Sequence, residues 1–145
     1  MKDLDIIVYG ATGFTGRLCV AYLAASQSPV KWAIAGRNAD KLAAVNREAG
    51  SNVEIIIADS DDVAALEALT ARTKVVLSTA GPFHRYGSNL VAACVKNGSH
   101  YVDITGENFW VKGLIEKHHA EAAAKVSKEC GARRTAREFL RGDGF

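Results

Sequence analysis

The chain has 145 residues, 48% of them hydrophobic and 23% charged, with 13 Gly, 2 Pro and a formal net charge of +2. That balance provides one core without disulfides or metal and excludes disordered, collagen-like and cysteine-scaffold chains. The longest apolar runs, Ile6-Ile7-Val8-Tyr9 and Ile55-Ile56-Ile57-Ala58, fall far short of the ~20 residues of a membrane helix, and Lys2, Asp3 and Asp5 do not form a signal-peptide start, so a cytoplasmic, non-secreted chain is expected.

Short β-branched runs alternate with helical patterns, which predicts a parallel sheet covered by helices on both faces. Five strands are expected: Leu4 to Tyr9, Lys31 to Ala35, Val53 to Ala58, Lys74 to Thr79 and Ser99 to Ile104. Their apolar runs are nearly continuous, as in strands buried on both sides, and argue against an antiparallel sandwich. The expected fold is α/β, a Rossmann-like doubly wound parallel sheet of strand order 3-2-1-4-5.

The first strand leads into Gly10-Ala11-Thr12-Gly13-Phe14-Thr15-Gly16, which opens a helix. Glycines here allow a tight turn, close approach of backbone to a diphosphate, and tight packing of helix on strand. The helix start offers N–H donors and partial positive charge. The spacing is G-x-x-G-x-x-G, a variant of the dinucleotide fingerprint. Its alternative is a purely structural turn.

At the end of the second strand an NAD site usually carries an acid for the ribose 2′-hydroxyl. Here Arg37 stands in that place, which favours NADP over NAD because a guanidinium pairs bidentately with a 2′-phosphate. Lys41, one helical turn on, adds a second charge to that reading. Both residues also fit a solvated helix start. Asn38 is expected to cap the next helix, with Asp40 in its first turn.

Asp59 closes the third strand, either at the adenine edge or as a cap beside Ser60, which is expected to cap the helix after Asp61-Asp62. Ala80, Gly81 and Pro82 follow the fourth strand, where the crevice outside the strand ends would place the nicotinamide. His84, Arg85 and Tyr86 read as surface groups of that loop or as acid–base candidates, and no catalytic residue is assigned. The next helix places Leu90, Val91, Cys94 and Val95 on one stripe and stops at Asn97-Gly98.

Asp103, Thr105 and Glu107 offer carboxylates and a hydroxyl to the crevice, with a helix cap as the alternative for Thr105. A last helix from about Glu107 to Ser127 is expected to bury Trp110, Val111, Leu114 and Ile115. His118, His119, Glu116 and Glu121 lack the H-E-x-x-H spacing and read as its solvated face. Cys19, Cys94 and Cys130 read as reduced thiols, and no metal site is expected.

Four blocks in order resemble the saccharopine dehydrogenase-like oxidoreductases: Val8 to Arg17 (V-Y-G-A-T-G-F-T-G-R), Ala33 to Leu42, Ser78 to Gly87, and Ala93 to Glu107. That family includes lipid-droplet and membrane-associated proteins of animals and trans-acting enoyl reductases of bacterial glycolipid synthesis. The resemblance implies an NADP-binding Rossmann domain over residues 1–127, with phosphate contacts on Gly10, Thr12, Gly13, Phe14, Thr15 and Arg37. It also implies a role in lipid or glycolipid metabolism and, as an alternative location, a lipid droplet or membrane surface.

Residues 1–127 hold 13 of the 18 bases and 13 of the 16 acids, so the excess charge lies in residues 128–145. Nothing in the neutral body forms a stripe for nucleic acid. The expectation is that the resemblance stops after Ser127 and gives way to a divergent basic tail, truncated or frameshifted. A sheet edge left open beside the fifth strand would then favour a homo-oligomer or a docked partner. No tyrosine has a lysine four residues later, so the Tyr–Lys relay of short-chain reductases is absent. Two functions remain: an oxidoreductase acting with NADP(H), and a non-catalytic nucleotide- or partner-binding module.

Overall fold

A computed structural model describes residues 1–129; the tail expected from residue 128 lies, from Cys130 on, outside the described residues. In chain order the elements are β1 (Leu4–Tyr9), α1 (Phe14–Ala25), β2 (Trp32–Gly36), α2 (Ala39–Glu48), β3 (Glu54–Ile57), α3 (Val63–Arg72), β4 (Thr73–Ser78), α4 (Phe83–Tyr86), α5 (Ser88–Asn97), β5 (His100–Val102) and α6 (Asn108–Glu129). All strand pairs are parallel and the order is β3-β2-β1-β4-β5, as expected. Helix α4 was not foreseen, and α6 runs through Ser127.

The continuous apolar runs are explained by two cores, one on each face of the sheet. Ile7, Tyr9, Ala33, Ala35 and Val76 pack with Leu66 and Leu69 of α3 and with Leu90, Ala93 and Cys94 of α5. Val8 and Ile34 point the other way, against Val20 of α1 and Leu42 and Val45 of α2. Truncating Ile7 or Leu66, both fully buried, to alanine would cost about 2–5 kcal/mol. At the edges the expectation of two-sided burial fails: Ile57 is 50% exposed and Val102 41%. An edge strand has a helix-covered neighbour on one flank only.

A satellite cluster of Phe83, Val91, Trp110 and Leu114 joins α4, α5 and α6. The buried stripe of α6 is Trp110, Leu114, His118 and Ala122, each four residues from the last. Val111 and Ile115 are half-buried. His118 therefore corrects the solvated-face expectation. It lies on the packed side, and burial lowers the pKa of its imidazole. His119, Glu116 and Glu121 remain exposed.

Helix ends follow short polar side chains. Asn38 Oδ1 accepts the Lys41 N–H at 2.9 Å and caps α2. Asp62, rather than Ser60, caps α3, accepting the Ala65 N–H at 3.0 Å. Gly98, with φ +62, ends α5.

The amino ends of the strands are closed by a polar network. Arg72 pairs with both Asp3 and Glu54 at 2.6 Å, and Lys74 with Asp5 at 2.6 Å. Lys2 donates to Gly98 O and Ser99 Oγ. Ser99 in turn donates to Thr70 O and Thr73 O, and Asn97 donates to Thr70 Oγ1.

Candidate functional site

The glycine loop sits over the carboxyl ends of β1 and β4, where the strand order reverses. Its three glycines have different reasons to be there. Gly10 has φ +81, and a Cβ on it would stand 2.8 Å from Ala80 N. A Cβ on Gly16 would stand 2.3 Å from Gly10 O, which is incompatible with seating α1 on β1. Both are demanded by the protein's own packing.

Gly13 is different. Its φ of −75 suits any residue, and a Cβ there would meet nothing closer than Gly10 O at 3.5 Å. The chain itself does not require a glycine at this exposed position, and its missing side chain leaves the backbone open to approach from outside. Gly13 also stands at the N-cap of α1 and supplies no side-chain cap, and the first turn holds no acid. The first N–H groups of that helix are thus left to an external acceptor. These features fit a diphosphate.

Loop positions are held by residues that the glycine pattern alone does not reveal. Thr79 donates its N–H to Tyr9 O at 2.9 Å and its hydroxyl to Tyr9 O at 3.1 Å and Gly10 O at 3.0 Å. Arg17 donates to Thr12 O at 3.3 Å and pairs with Glu48. Both residues lie inside the sequence blocks that carry the resemblance, yet their roles depend on partners across the fold. Phe14, 83% exposed, and half-buried Thr15 start α1 above this loop.

Arg37, at the end of β2, is exposed and makes no ion pair among the described residues. Lys41 is exposed in the first turn of α2, behind the Asn38 cap. Asp59 follows β3, and its Oδ1 accepts the Asp61 N–H at 3.0 Å, so part of its role is to close a local turn. Beneath them, Tyr9 donates to Ala58 O at 3.2 Å. Burial pushes the Tyr9 phenol up to about 12, with the Asp59 charge adding to the shift and Arg37 opposing it. Arg37 and Asp59 therefore act on one place, beside β1, β2 and β3.

Across the switch point, Ala80, Gly81 and Pro82 leave β4 with a cis Gly81–Pro82 bond. A Cβ on Gly10 would strike Ala80, which places the two loops in contact. His84 and Arg85 are exposed on α4, and the Arg85 guanidinium lies 5.4 Å from the Tyr86 ring centroid. Deeper in, the buried oxygens Ser78 Oγ, Tyr101 OH and Asp103 Oδ2 lack hydrogen-bond partners among the described residues. Burial, followed by the neighbouring Asp103 carboxylate, keeps the Tyr101 phenol un-ionised.

After β5, Thr105 N–H donates to Asp103 Oδ1 and Glu107 N–H to Thr105 Oγ1, so Thr105 closes the turn before α6. Among the described residues no three His, Cys, Asp or Glu side chains are grouped to hold a metal ion, and no helix is long and apolar enough to cross a membrane.

Comparison with known proteins agrees with this geometry. A trans-acting enoyl reductase of Mycobacterium leprae is 42% identical over 136 residues, covering 90% of this chain and 32% of that protein. The Mycobacterium tuberculosis counterpart is 43% identical over the same shares. The chain thus spans about a third of the length of these curated relatives. Apo saccharopine dehydrogenase (L-Glu forming) of Saccharomyces cerevisiae superposes with a TM-score of 0.63 at 22% identity, over 77% of this chain and 24% of that one. A short-chain dehydrogenase/reductase of Veillonella parvula, solved with NADP, gives 0.58 at 18%, over 95% and 64%. These two likenesses show the Rossmann-like fold. The profile of the saccharopine dehydrogenase NADP binding domain matches residues 6–132, beyond Ser127 where the resemblance is expected to stop. The chain belongs to that family of NADP-binding domains.

Proposed function

We propose that the crevice between the glycine loop and the β4 loop binds NADP(H) across the strand-order reversal. Gly10, Thr12, Gly13, Phe14, Thr15 and Gly16 take the diphosphate, Arg37 and Lys41 the 2′-phosphate, and Asp59 the adenosine edge. Ala80, Gly81 and Pro82 line the nicotinamide. The observation that carries this reading is Gly13, a glycine that the fold does not need, at the mouth of an uncapped helix. Arg37 supports it as an exposed guanidinium without an ion pair among the described residues.

Bound NADPH supplies a hydride; the chain's part is to hold and orient it and to neutralise its phosphates. We infer that the activity served is reduction within lipid metabolism, on the strength of the enoyl reductase name carried by the mycobacterial relatives. The half-exposed Val102 on edge strand β5 supports a homo-oligomer or partner contact at that edge, and we place the domain in the cytoplasm.

Paired titrations with NADPH and NADH test the cofactor assignment. NADPH should bind more tightly, and Arg37→Ala should remove about 1–3 kcal/mol of that preference, a loss of roughly fivefold to 150-fold. Equal affinities in the unmodified chain would remove Arg37 from the site.

A further inference from the structure

Glu107 makes contacts that no local pattern explains. Its Oε1 accepts the Phe83 N–H at 3.0 Å, and its Oε2 accepts the His84 N–H at 2.7 Å and faces His84 Nδ1 at 2.7 Å. One carboxylate thus satisfies the start of α4 from across the crevice wall. Burial opposes its charge, but the His84 and Phe83 donors outweigh that and hold the carboxyl below the usual range. The ionised group only accepts, so His84 Nδ1 carries the proton.

The contact is delivered from β5 by the two turns closed by Asp103 and Thr105. It is reinforced on either side. Phe83 stacks on Trp110 at 6.3 Å, Trp110 Nε1 donates to Ser88 Oγ at 2.9 Å, and the His84 ring lies 5.7 Å from that of Phe109. A Cβ on Gly87 would stand 2.7 Å from the Trp110 ring, so α4 and α6 meet without spare room.

We propose that Glu107 is a positioning residue for the nicotinamide half of the cofactor: it clamps the Pro82–His84 turn to the β5–α6 loop and thereby fixes the wall on which that half rests. This deepens the proposed NADP(H) reading and rests on it. Glu107 does not touch the adenosine half, which lies across β1 at Arg37 and Asp59. Loss of the clamp should therefore be felt by one half of the cofactor alone.

The test uses the 145-residue chain and two probes in calorimetric titration: NADPH, and adenosine 2′,5′-bisphosphate, which has the 2′-phosphate but no nicotinamide. Glu107→Ala should weaken NADPH about tenfold, the scale of losing charge-assisted hydrogen bonds. The bisphosphate should stay within about twofold. Glu107→Gln, which keeps one acceptor, should fall between the unmodified chain and Glu107→Ala. It decides the matter if the alanine variant does not fold. Equal losses for both probes, or unchanged NADPH binding, would overturn the clamp. An unmodified chain that binds the bisphosphate but not NADPH would overturn it too. An unmodified chain that binds neither probe would sink the NADP(H) reading first, and the clamp with it.

Discussion

The two ends of the parallel sheet are built on opposite plans. At the amino ends of the strands, charged and polar side chains answer one another: Arg72 with Asp3 and Glu54, Lys74 with Asp5, and Thr70, Asn97 and Ser99 among themselves. At the carboxyl ends the accounts are left open. Helix α1 starts uncapped, and the exposed Arg37 has no ion pair among the described residues. Closed polar groups contribute stability, whereas open ones are available to a ligand. On the proposed reading, the difference separates the residues that hold the fold from those that would serve the site.

The sharpest way to break this comparison lies within one loop. Gly16→Ala forces a Cβ into the backbone of Gly10 and Ala11, so it should cost about 3 kcal/mol and lower the melting temperature steeply. Gly13→Ala should cost only about 0.5–1 kcal/mol, the penalty of alanine at an N-cap, yet weaken NADPH about tenfold or more. Thermal melts with cofactor titrations measure both. If Gly13→Ala binds NADPH normally, the argument that an outside group requires that glycine is wrong.

How much of this was legible beforehand depended on the range of each interaction. Strand positions and order followed from apolar runs, and the Asn38 cap and Gly98 stop from local chemistry, because those signals span a few residues. Four acceptors in a row, Asp59 to Asp62, left the cap of α3 ambiguous until the chain's path selected Asp62. The charged neighbours of His118 mask, in the sequence, its i, i+4 stripe with Trp110 and Leu114. Glu107 was noticed only as a carboxylate near the crevice, since its partners lie 23 and 24 residues away.

A smaller effect sharpens the other side. Arg72→Ala should destabilise the fold by about 1 kcal/mol, the scale of a half-exposed ion-pair network, and leave NADPH affinity unchanged. A matching loss of affinity would mean that the two ends are not independent.

The smallest expected effect is acid sensitivity. Hydrogen bonds from Arg72 hold Asp3 and Glu54 below their ordinary carboxyl values, and Lys74 does the same for Asp5. Groups lowered in the folded state contribute stability above their unfolded pKa of about 4, and that contribution fades as pH falls through the folded values. The melting temperature should therefore drop as the pH falls below about 4, and Arg72→Ala should flatten the drop. An unchanged slope in the variant would assign the acid sensitivity elsewhere.

The most direct test of the central claim is a titration of the isotopically labelled chain with NADP⁺, followed by the backbone amide resonances. The account predicts shifts at Gly10 to Gly16, Arg37, Ala80, Gly81, Phe83 and His84, with Thr70, Arg72 and Ser99 unmoved. Shifts confined to the amino ends of the strands, or none with millimolar nucleotide, would contradict it.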